Sequence, residues 1–104
     1  MAWVYLGVAG LLEIVWSYAL KQSAGLSKPA EATIAIVAMI ASFGVLSLAM
    51  KSLPLGTAYT IWTGIGAIGA FVLGVMMLGE AATPMRVLSA ALILAGIVGL
   101  RVAA

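Results

Sequence analysis

At 104 residues, 65% of them hydrophobic and 8% charged, with a mean hydropathy of +1.27, the chain lacks the charged surface that a soluble domain of this size needs. It contains no cysteine and no histidine, which excludes disulfides, leaves no plausible transition-metal site and implies no cofactor. The net charge of +2 comes from five basic residues scattered singly; they form no nucleic-acid-binding face and read instead as membrane-boundary residues.

Four apolar runs follow one another: Trp3–Leu20, Thr33–Met50, Thr57–Leu78 and Met85–Val102. Each approaches the ~20 residues an α-helix needs to cross a bilayer core. The links KQSAGLSKPAEA, KSLPLG and GEAATP carry the glycines, prolines and charges that stop helices and meet water. Links this short make successive helices antiparallel neighbours, so residues 1–104 read as one all-α integral membrane domain. A secretory leader is not expected, because no basic residue precedes Lys21 and Glu13 interrupts the apolar core.

The first span holds the most informative residue. Glu13 lies in the middle of it, where an unpaired carboxylate costs roughly several kcal/mol. Gly10, Trp16 and Ser17 share its helical face at i−3, i+3 and i+4. No basic residue lies at comparable depth, so either a proton or an external cation must neutralise it. The alternative is a protonated Glu13 that serves as hydrogen-bonded glue between helices.

In the second span Ser42 is the polar side chain near mid-depth; it bonds either Glu13, a ligand or, as serines in membrane helices usually do, its own helix backbone. The third span aligns Tyr59, Trp62, Thr63 and Gly66 at i, i+3, i+4 and i+7. Tyr59 and Trp62 can donate hydrogen bonds to a carboxylate, and with Trp16 their rings can attract a cation. Packing or an interfacial belt is the plainer reading of such aromatics. Gly64, Gly66 and Gly69 in the same span suit either close helix packing or a kink, here assigned to Gly64 and Gly66. The fourth span places Ser89, Leu92, Ile93, Gly96, Ile97 and Leu100 on one seam without an ionisable residue at mid-depth, as a packing or dimer helix would.

With the N-terminus inside, Lys51 and Arg101 face the cytoplasm against Lys21, Lys28 and Arg86 outside. A bias of one residue sets orientation weakly. Either other cues decide it, or the chain inserts both ways and pairs as an antiparallel dimer.

The stretch GLLEIVWSYALK with Glu13 and Trp16, the segment ASFGVLSLAMKSLPLGTAY and the run WTGIGAIGA together resemble the small multidrug resistance family, specifically its guanidinium exporter branch, over essentially the whole chain. The resemblance implies an antiparallel, dual-topology homodimer of four-helix subunits in the bacterial inner membrane, dimerised mainly through the fourth helix. It also implies one site with two Glu13 side chains surrounded by Trp16, Ser42, Tyr59 and Trp62, and the helical spacing offers Gly10, Ser17 and Thr63 as candidates for further lining. The third helix would bend as the site changes side.

Competition of a proton and a small organic cation for Glu13 suffices for antiport. Guanidinium suits the site because it is planar, charged near pH 7 and offers a fork of N–H donors. The rival readings are a broader quaternary-ammonium exporter, a passive cation channel and a subunit that needs a partner chain. No nucleophile–base pair or phosphate-binding loop suggests an enzyme. Glu31 and Glu80, at the link edges, are expected to be solvated.

Overall fold

Proline and glycine set the boundaries of the helices. In the computed structural model, which describes residues 1–104, α1 spans Ala2–Gln22, α2 Pro29–Ala49, α3 Leu55–Met77 and α4 Pro84–Ala103. Pro29 and Pro84 open α2 and α4, and Pro54 immediately precedes α3; proline fits there because the first amides of a helix have no intrahelical partner. Thr83 caps α4 by accepting a bond from the Arg86 amide at 3.3 Å. The apolar runs fall within these helices except for Met50 and Leu78, one residue beyond α2 and α3.

The first turn between helices is unusual. Ala24, Gly25 and Leu26 have φ of 50°, 75° and 66°, a left-handed stretch that only glycine adopts without cost and that costs other residues about 1–2 kcal/mol each. Fully buried Ser23 holds it, its hydroxyl donating to the Leu20 carbonyl at 2.6 Å and accepting from the Leu26 amide at 3.0 Å. At the end of α3, Gly79 has φ 71°. That turn brings the Leu78 and Glu80 amides to the Gly74 carbonyl at 3.2 and 3.0 Å, closing the helix as a left-handed cap does.

Helix α1 is central and packs against both α2 and α3, which hardly touch each other; the α4 backbone approaches α3 alone. Lipid gives helices no hydrophobic reason to associate, so close backbone approach over small residues has to supply the contact. The buried stripe of α2 consists of Ala32, Ala35, Ala38, Ser42, Leu46 and Ala49, which are small except for Leu46. The core joins Leu6 and Ala9 of α1 to Leu46 and Ala49 of α2 and to Ala58, Ile61 and Trp62 of α3.

The result is a flat slab with principal extents of 39 × 34 × 16 Å. Helix α4 buries no residue. Arginines tie both of its ends to aromatic rings: Arg86 lies 5.4 Å from the Phe71 centroid and Arg101 lies 4.2 Å from that of Trp3, within cation–π range.

Candidate functional site

Glu13 and Gly66 meet between α1 and α3. A β-carbon at Gly66 would fall onto the Glu13 carboxylate and its Cγ, so the glycine makes the space that the carboxylate occupies. The Glu13 Oε1 atom is buried and has no hydrogen-bond partner within the chain, and the buried Nε1 of Trp16, one turn along α1, has none either. A buried acceptor and a buried donor are thus both unsatisfied on one helix face. Such groups are rare in folded proteins and cost about 1–3 kcal/mol each when left so, more if charged.

Beside them a hydrogen-bond bridge crosses all three packed helices. Trp62 of α3 donates from Nε1 to the Ser42 hydroxyl of α2 at 3.0 Å, and Ser42 donates to the Ala9 carbonyl of α1 at 2.7 Å. In an α-helix that carbonyl also faces the amide four residues on, here that of Glu13. The bridge therefore fixes the turn from which Glu13 projects.

Within the subunit, none of Trp16, Ser42, Tyr59 and Trp62 bonds the Glu13 carboxylate. Ser42 and Trp62 spend their protons on the bridge because α2 presents Ser42 to the seam between α1 and α3. Ser42 does not bond its own helix, the usual habit of such a serine. Tyr59 is 51% exposed and lies with its ring 5.5 Å from that of Trp62, which Phe43 meets edge-on at 5.7 Å. No bond to Glu13 from Tyr59 or Trp16 is present.

The aromatic stripe of α3 divides. Trp62 and Gly66 are buried toward α1 and α2, whereas Tyr59 and Thr63 border a groove of about 460 Å³ beside α4. Gly10 is tightly packed against α3: a β-carbon there would lie 2.6 Å from Cγ2 of Ile65. Ser17 bonds the Ile14 carbonyl at 3.0 Å and faces a separate cavity farther along α1.

Helix α3 continues through Gly64 and Gly66, and both glycines admit a neighbour: Glu13 at Gly66, and Ile97 of α4 at Gly64, where a β-carbon would lie 2.8 Å from Ile97 Cδ1. The seam expected on α4 is shared accordingly. Ile93 and Ile97 turn toward Gly64 of their own subunit, while Leu92 is exposed, Gly96 has nothing within 4 Å of a β-carbon, and the Ser89 hydroxyl bonds the Met85 carbonyl at 2.8 Å.

Glu80 is exposed, as expected, and its carboxylate also lies over Gly74 and pairs with Arg86, Oε1 to Nη2 at 3.4 Å. The sequence carries a signal for this, since Glu80 and Arg86 flank one short link; the seat on Gly74 has none.

A family model described as Small Multidrug Resistance protein matches residues 1–93. The chain is 54% identical over 104 residues to a guanidinium exporter of Salmonella typhimurium, covering 100% of this chain and 99% of the relative. It is 55% identical over 103 residues to one of Yersinia pseudotuberculosis, covering 99% of each. With one of Escherichia coli K12 it shares 54% over 101 residues, covering 97% of this chain and 96% of the relative. With four helices long and apolar enough to cross a membrane and bacterial relatives of matching length, the chain is a multi-pass protein of the bacterial inner membrane and belongs to the small multidrug resistance family.

Proposed function

We propose that this chain exports guanidinium and small substituted guanidinium cations in exchange for protons, working as an antiparallel homodimer whose two Glu13 side chains share one site. The observation that carries the reading is the buried, unpartnered Glu13 carboxylate oxygen beside an unpartnered Trp16 N–H. Relatives named guanidinium exporters at 54–55% identity over nearly their full length support the substrate class.

An empty carboxylate between helices is costly in hydrocarbon, and it is relieved by a proton or by a cation. The two exclude each other because they claim the same oxygens. If either loaded form lets the dimer change the side on which it is open and the empty, doubly charged form does not, proton entry is tied to cation exit. Guanidinium satisfies the carboxylate with parallel N–H donors, whereas a quaternary ammonium ion has none to offer. The Trp16 N–H supplies a further donor to a carboxylate oxygen, and the rings of Trp16, Tyr59 and Trp62 stabilise the cation through their faces. The bridge from Trp62 through Ser42 to Ala9 holds the carboxylate's turn in register. The reading is transport, in line with relatives named as exporters.

The test uses the purified chain in liposomes with an internal pH dye, with guanidinium added on one side and a quaternary ammonium ion in a parallel sample. Guanidinium-driven proton counterflow that exceeds the ammonium signal and vanishes in Glu13→Gln is expected. Coupled transport in Glu13→Gln would falsify the mechanism, a response to the ammonium ion alone would move the substrate class, and silence with both would point to a partner-dependent subunit. Protons and guanidinium compete, so binding weakens as pH falls. If one proton is displaced per cation, the apparent Kd rises at most about tenfold per pH unit over the range in which Glu13 titrates.

A further inference from the structure

Two carboxylates of this chain are seated over glycines of the same helix. Glu13 lies over Gly66 and Glu80 over Gly74, and in each case a β-carbon on the glycine would fall onto the carboxylate. Gly66, Ala70 and Gly74 stand at successive four-residue steps, so they form one small-residue stripe on α3. The two glycines are separated by about 12 Å along the helix at ~1.5 Å per residue. Beginning one turn beyond Glu13, a cavity of about 310 Å³ opens over the outer part of this stripe, lined among others by Ser17, Tyr18, Lys21, Phe71, Glu80 and Arg86.

A guanidinium group already occupies the outer end. The Arg86 headgroup donates from Nη2 to Glu80 Oε1 at 3.4 Å and from Nη1 to the Ala81 carbonyl at 2.7 Å, and its Cζ lies 5.4 Å from the Phe71 ring centroid. Carboxylate, carbonyl and aromatic face are the three partners a free guanidinium ion would seek. We infer that this cluster is a second, outer cation station, where a free guanidinium ion replaces the Arg86 headgroup on Glu80 and Phe71 before moving along the α3 stripe to Glu13. The inference rests on the proposed function only for the identity of the ion.

Displacement is inexpensive, because Glu80 and Arg86 are each 42% exposed and ion pairs so open to solvent are weak. The tether keeps the Arg86 headgroup at an effective concentration on the order of millimolar, so a competing ion must reach a similar level. Lys21 on the same cavity wall adds a repelling charge. Both features make the station an encounter point and not a store.

The experiment exploits the presence of only two arginines, Arg86 and Arg101. The full chain in lipid nanodiscs, carrying Glu13→Gln to silence the inner site, is labelled with ¹⁵N-arginine and titrated with guanidinium chloride, then with sodium chloride at matched ionic strength. The Arg86 Nε signal should shift and saturate in the millimolar range with guanidinium alone, while Arg101, stacked on Trp3, stays in place as the internal reference. Adding Glu80→Gln should abolish the saturation. Should that variant not fold, Phe71→Leu in its place should raise the half-saturation concentration at least about twofold. Equal responses of both arginines, reproduction by sodium chloride, saturation that survives loss of Glu80, or an unchanged midpoint in Phe71→Leu would each overturn the station. Wild-type liposomes that do not respond to guanidinium would instead count against the proposed function, which keeps the two failures apart.

Discussion

Helices α1 and α4 are nearly the same length, both are apolar enough to cross a membrane, and each carries a basic residue in its last turn. Yet α1 is packed on two sides and buries Leu6, Ala9, Gly10 and Ala19, while α4 packs mainly on α3, with Arg101 reaching Trp3 of α1, and buries nothing. Apolar length thus decides that a helix enters the bilayer and says little about what covers it. The difference lies in which helices bring glycine and polar atoms to a shared seam. Gly10, Gly66 and Gly69 admit Ile65, Glu13 and Ile14 between α1 and α3, whereas Gly96 and Gly99 of α4 have nothing within 4 Å of a β-carbon. On this comparison the α1 seam holds the subunit and its site together, and the α4 surface stays uncovered within the subunit.

The largest expected effect tests the seam where it meets the site. Gly66→Val puts side-chain atoms where the Glu13 carboxylate lies, and liposome transport should fall at least about a hundredfold, which corresponds to ~2.8 kcal/mol. Transport within tenfold of wild type would mean that Glu13 does not need its seat on α3. The matching change on the other helix, Gly96→Leu, should leave the subunit's helicity intact and shift the protein from dimer to monomer in detergent crosslinking. A dimer of undiminished yield would remove α4 from the proposed interface.

A smaller change separates the bridge from the carboxylate. Ser42→Ala leaves the buried Trp62 N–H without an acceptor, and stability in detergent should drop by about 1–3 kcal/mol. No change in the unfolding midpoint would show that water or another group takes over the bond. The smallest effect belongs to the tie between α4 and α1. Arg101→Gln removes the cation from the Trp3 ring and should cost about 0.5–1 kcal/mol, detectable as a blue or red shift of tryptophan emission even where stability hardly moves.

Much of the architecture was legible in the sequence. Apolar runs of the right length, with Pro29, Pro54 and Pro84 at their edges, place four helices with errors of a few residues, because chain-breaking chemistry is local. Helical spacing also puts Trp62 and Gly66 on one face. It gives no indication of which helix that face meets, and this is why Ser42 as the acceptor for Trp62 and Ala9 as the acceptor for Ser42 were not foreseen. For the same reason the spacing does not tell that Gly10 meets Ile65 or that Thr63 looks into the groove beside α4. The exposure of Glu80 follows from its link position, but its seat does not: the turn at Gly79 folds the link back over Gly74.

The chain has three tryptophans, Trp3, Trp16 and Trp62, in three chemically different settings. One lies under a guanidinium group, one has a buried and unpartnered indole N–H, and one donates to a serine hydroxyl. Replacing them with fluorinated tryptophan would turn the native protein into its own set of spectroscopic reporters. A single ¹⁹F spectrum would then follow a helix end, the carboxylate's surroundings and the interhelical bridge at once, with no added label.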